Sequence, residues 1–376
     1  MQALGVYIHI PFCVQKCVYC DFLSGPATRE KQKIYLKALK KEIEEEALHY
    51  ADYEIKTIFF GGGTPSILET QDIVECLDML RENYHVSCDA EITIEMNPGT
   101  ANMEKLKGLW EAGVNRLSIG LQSAQDAELK LLGRIHTWDD FLNTYHMARK
   151  VGFLNMNVDL MSALPGQSSA TWEDTLKKVL ELEPEHISAY SLIVEEGTVL
   201  YEQLDSYPPL PSEEEDRYMY ERTKQILSEY GYERYEISNY AKKGYESRHN
   251  TIYWTRGAYV GFGLGASSMV EDKRWSNITD MEEYLKSQST KKEAIQQLSK
   301  AECMEEYMFL GLRRMQGVSK RSFFKLYGKS IEEIYGSVIR KWMEKGLLDE
   351  KGDFIRLTDK GIDVSNVILS DFLLEE

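Results

Sequence analysis

Short runs of apolar, β-branched and aromatic residues at positions 6–10, 57–60, 91–96, 116–119, 156–161 and 187–192 alternate with stretches of helical character. Strand alternating with helix builds a parallel sheet, open or barrel-like, with both faces covered. The first helical stretch shows how the outer layer forms. Thr28 is placed to cap a segment in which Tyr35, Leu39 and Ile43 recur at four-residue spacing, with charges elsewhere. After position 192 the rhythm weakens. The run YPPLP at 207–211 makes an extended connector, because each proline fixes its own backbone and disfavours helix before it. Ser212 with Glu215 then reads as a capping box, and Gly231 as a left-handed helix end. From position 299, helical segments are followed by a short hairpin within 345–361, the outline of a winged-helix-like α+β module. The chain is therefore read as residues 1–205, a connecting region 206–298, and 299–376.

Composition narrows the setting. No apolar run approaches the roughly 18 to 20 residues needed to cross a bilayer, so no transmembrane segment is expected. The strand-like start at Val6 leaves no room for a charged-then-apolar signal, which points to the cytoplasm. A net charge of -17 disfavours broad nucleic-acid binding. In a reducing compartment the six cysteines read as thiols or metal ligands rather than disulfides.

Three of these cysteines, Cys13, Cys17 and Cys20, share one loop immediately after the first strand. Soft, anionic thiolates at this spacing suit iron, and three of them leave one iron of a 4Fe-4S cluster open to a small molecule. The competing reading is a zinc site completed by His9 or a distant cysteine. Cys76, Cys88 and Cys303 read as buried small hydrophobes in a helix, a following loop and a late helix. Gly61, Gly62 and Gly63 at a strand end permit close approach of a ligand, or simply turn the chain. Glu95, Gln122, Arg134 and Asp159 fall near successive strand ends, where barrel folds converge functional groups. His136 alone reads as a satisfied structural histidine.

The CxxxCxxC spacing, with Tyr19 before its last cysteine, resembles the signature of the radical-SAM superfamily. The segments YIHIPFC (7–13), GGGTP (61–65), EMNP (95–98), RLSIGLQ (116–122), GRIH (133–136), Asp159-Leu160 and LPGQ (164–167) follow the order of the oxygen-independent coproporphyrinogen III oxidase-like family. The resemblance covers nearly the whole chain. It implies a partial (β/α) barrel of radical-SAM type plus the C-terminal module, a 4Fe-4S cluster on Cys13, Cys17 and Cys20, and S-adenosylmethionine (SAM) held by Tyr7, Gly62, Gly63, Thr64, Glu95, Gln122, Arg134 and Asp159. Ser162 and Ala163 depart from it, since relatives carry an aromatic or small residue and then glycine there.

Two features separate the branches of that family. The oxidases carry a further cysteine one residue after the third, where this chain has Phe22. The run HNTIYW at 249–254 matches a pattern of the HemW-like branch, which implies heme binding with His249 as one ligand, beside Tyr253 and Trp254. Without the resemblance, this run reads as a turn with aromatics packed in the core. The branch implies a heme chaperone that delivers heme to acceptor proteins, including those of a respiratory chain, with a homodimer and peripheral membrane contact compatible with it. An anaerobic coproporphyrinogen III oxidase is the alternative, and a tRNA-modifying enzyme of the superfamily a more distant third.

Overall fold

The computed structural model describes residues 1–286 and 291–374. Its strands are β1 (Gln2–Ile10), β2 (Tyr53–Gly62), β3 (His85–Met96), β4 (Arg116–Gln122), β5 (Met156–Ser162), β6 (His186–Ser191), β7 (Glu233–Arg234), β8 (Asn239–Ala241), β9 (Tyr259–Phe262), β10 (Ser267–Val270), β11 (Lys273–Asn277) and β12 (Lys292–Gln297), all in one sheet. The order is β12-β11-β10-β9-β1-β2-β3-β4-β5-β6-β8-β7. From β9 through β1 to β6 the pairing is parallel; both flanks are antiparallel. Residues 206–298 thus supply strands to both ends of the sheet.

Alternation along the strands decides what each face does. On β4, Leu117, Ile119 and Leu121 are wholly buried in the apolar core, whereas Arg116, Ser118, Gly120 and Gln122 line the inside of the curved sheet. On β5, Met156, Val158 and Leu160 belong to the core, and Asn157, Asp159 and Met161 face inward. The barrel interior is therefore polar, unlike the layered aliphatic filling of a closed (β/α) barrel.

The expected caps form. Thr28 Oγ1 accepts from Lys31 N–H to start helix Arg29–Glu46, Ser212 and Glu215 close the capping box of helix Glu213–Glu229, and Gly231 has φ 81°. A separate core built around Met308, Phe323, Ile331, Ile355 and Phe372 holds helices Lys300–Gly311, Lys320–Tyr327 and Ile331–Glu344 against β13 (Val318–Ser319), β14 (Leu348–Lys351) and β15 (Phe354–Leu357). Ion pairs tie the two cores together: Arg256 Nε lies 3.0 Å and Arg274 Nη2 2.5 Å from the carboxylate of Glu306.

Candidate functional site

The cysteine loop is pinned at several points. Cys13 N–H donates to Gly25 O (3.1 Å), Val18 N–H to Leu132 O (3.2 Å), Leu200 N–H to Val18 O (2.9 Å) and Lys16 Nζ to Phe22 O (2.9 Å). All three thiols are free, and burial pushes those of Cys13 and Cys20 above the ordinary thiol range. Such thiols deprotonate when a cation arrives, so ligation would release protons. No three His, Cys, Asp or Glu side chains converge on a single ion among the described residues.

The loop roofs a cavity of about 280 Å³ lined by Cys13, Cys17, Cys20, Gly62, Gly63, Thr64, Glu95, Gln122, Arg134 and Asp159. Arg134 spans it, with Nη1 3.5 Å from Cys17 Sγ and Nη2 donating to Asn97 Oδ1 (2.7 Å) and Gly120 O (2.5 Å). Glu95 Oε2 accepts from Gly62 N–H at 3.1 Å. Burial, with Asp159 nearby, pushes the Glu95 carboxyl up to about 8. Asp159 accepts from Ser118 Oγ (3.0 Å) and Asn157 Nδ2 (2.8 Å), and burial raises it too. Gln122 has φ 74°, an uncommon backbone for its type and of the kind found at functional sites.

Tyr7 and His249 lie outside this cavity. Tyr7 lines a lower chamber, its hydroxyl 3.0 Å from His9 Nδ1, because it projects from β1 one pleat below the cavity. His249 lies in helix Arg248–Trp254 rather than in a turn, and it is 1% exposed. Its Nδ1 is 2.7 Å from Thr57 Oγ1, its Nε2 2.8 Å from Tyr253 OH, and its ring stacks on Phe59 at 5.0 Å. Burial pushes this imidazole down to about 3, so it is neutral.

The glycine run also has a reason beyond ligand approach. A Cβ on Gly63 would stand 2.5 Å from Phe12 O, and one on Gly62, at φ 114°, 2.6 Å from His9 Cε1. These glycines let β2 close against the start of the cysteine loop. Cys88 is exposed on β3 rather than buried in a loop, whereas Cys76 and Cys303 are buried in helices. His136 is satisfied by Leu121 O at 3.2 Å.

Residues 7–179 match the family model described as the radical SAM superfamily, and residues 298–364 that of the HemN C-terminal domain. The chain is 38% identical over 99% of both chains to a Bacillus subtilis protein named heme chaperone HemW. It is 35% identical to the Escherichia coli protein of the same name, over 100% of this chain and 99% of that one. The chain belongs to the HemW family. The fold of the family is shared with an oxidase: the structure of E. coli coproporphyrinogen III oxidase (HemN) superposes with a TM-score of 0.86 at 24% identity, over 99% of this chain and 90% of that one.

Sequence reasoning passed over Asn97, Ser118 and Tyr190, all of which line the cavity. Asn97 lies in the segment EMNP and Ser118 in RLSIGLQ, two inward steps before Gln122 on β4. Among the described residues no helix is long and apolar enough to cross a membrane.

Proposed function

We propose that this protein is a heme chaperone: it binds heme, carries a 4Fe-4S cluster on Cys13, Cys17 and Cys20, binds SAM in the cavity beside them, and hands heme to acceptor proteins. The full-length likeness to proteins named heme chaperone HemW carries this reading. Three free thiols on one pinned loop, opening into a cavity with carboxyl, amide and guanidinium groups, fit a cluster and a zwitterionic methionine. When bound, those groups supply one-electron chemistry at the SAM sulfonium. The chain's own part is to orient and shield: Arg134 fixes the Cys17 side of the loop, Gly62 and Glu95 set the cavity wall, and Phe22 stands where an oxidase has a further cysteine.

His249 is the residue we assign to heme iron. In the closed arrangement its nitrogens are taken by Thr57 and Tyr253, so ligation requires helix Arg248–Trp254 to move and the Tyr253 contact to break. A His249→Ala chain is expected to keep its iron-sulfur absorbance and to shift its heme spectrum; an unchanged Soret band and affinity would remove this ligand.

The experiment that separates chaperone from oxidase is anaerobic incubation of reconstituted protein with SAM, a reductant and coproporphyrinogen III. The chaperone reading expects no stoichiometric decarboxylation, and its appearance would replace this reading by the oxidase one.

A further inference from the structure

Beneath the SAM cavity, toward the N-terminal ends of the parallel strands, lies a second chamber of about 210 Å³. Glu95, Ser118, Asp159 and Tyr190 separate the two spaces and line both. Arg116 projects into the lower one from β4, two residues before Ser118, and helix Arg248–Trp254 contributes its floor through His249, Asn250 and Tyr253.

Arg116 is 2% exposed, yet its Nε has no hydrogen-bond partner and its guanidinium forms no ion pair among the described residues. The neighbouring carboxyl groups feel the Arg116 charge but direct their hydrogen bonds elsewhere. Asp159 takes hydrogen bonds from Ser118 and Asn157, Glu95 from the Gly62 amide, and Glu91 from the amides of Arg248 and His249 at 3.1 and 3.0 Å. Buried charges are ordinarily paired and hydrogen-bonded, and a guanidinium fork matches two oxygens of a planar anion. A buried fork beside an open chamber, with Glu95 and Asp159 close enough to feel its charge but no ion pair or Nε hydrogen bond formed among the described residues, keeps its donors available to a ligand.

We infer that the lower chamber is a carboxylate-binding site in which the Arg116 guanidinium receives both oxygens of the ligand. Its size suits a carboxylate on a short carbon stem. That stem has two sources: a free small acid, or a propionate of a porphyrin entering through the floor, where His249 stands. The second source rests on the heme reading; the first does not.

Calorimetry on the full chain with sodium propionate tests the site, and hemin against hemin dimethyl ester tests the source. Wild-type protein should bind propionate saturably or prefer hemin to its ester by about tenfold or more. Arg116→Lys, which keeps the charge and loses the fork, should weaken propionate binding at least about tenfold and erase the preference. Propionate binding without preference assigns a free acid; preference assigns the porphyrin. Failure of both hemin and ester to bind, with propionate still bound, refutes the heme reading and leaves the site standing. Neither propionate binding nor preference in the wild-type chain overturns the proposal, as does a folded Arg116→Lys or Arg116→Gln chain that retains both.

Discussion

Ala163 follows β5 with φ 56°, a left-handed backbone that a Cβ disfavours. The sequence had marked this position as departing from a glycine, and the dihedral gives the departure a physical consequence. Ala163→Gly should raise stability by about 1 kcal/mol, read from urea denaturation, since relief of a positive-φ side chain outweighs the added freedom of the unfolded glycine. A loss of stability would contradict this. Glu95 makes a second prediction. Its ordinary value is 4.5 and its folded value about 8, so between them the folded chain holds a proton that the unfolded chain has released. Stability therefore falls as pH rises through that window and levels off above it. Glu95→Gln, which cannot ionise, should gain stability relative to wild type across the same window, and parallel melting curves for the two proteins would refute the assignment. The cysteines were legible because spacing alone defines a shared loop. The depth at which Tyr7 and His249 sit was not, because depth within a barrel depends on pairing between strands distant in sequence.

Helix Arg248–Trp254 is short, and its first two amides are held by one carboxylate. Glu91, buried midway along β3, accepts from the amides of Arg248 and His249, while the Ser247 hydroxyl accepts from Asn250 N–H. Glu91→Ala strands two amides at a cost of about 1 to 3 kcal/mol each. Hydrogen exchange should then speed up at Arg248 and His249 while the amides of β4 stay protected; unchanged exchange would mean that the helix is held by packing alone. Helices with caps and four-residue periodicity, such as Arg29–Glu46, could be read from local pattern. The strands β7 to β12 could not. They are short, β12 is largely exposed, and β9 joins β1 by pairing Tyr259 with Gly5 across most of the chain. No local signal encodes such a partner.

At the scale of the molecule, one sheet carries the cysteine loop and the cavity beside it at one end of its strands and the HNTIYW helix at the other, with a polar interior between them. The parallel sheet was foreseeable from strand-helix alternation, whereas this two-ended layout was not, because the helix reaches the barrel from a segment that reads as a connector. On the function proposed above, this layout sets the SAM and heme sites at opposite ends of one polar interior, above and below the shared wall of Glu95, Ser118, Asp159 and Tyr190. The most direct test is to load the reconstituted protein with one equivalent of hemin under anaerobic conditions and mix it with a heme-free acceptor protein while following the Soret band. The account predicts saturable loading followed by transfer of the band from this chain to the acceptor; no saturable loading, or heme that stays bound in the presence of excess acceptor, would contradict it.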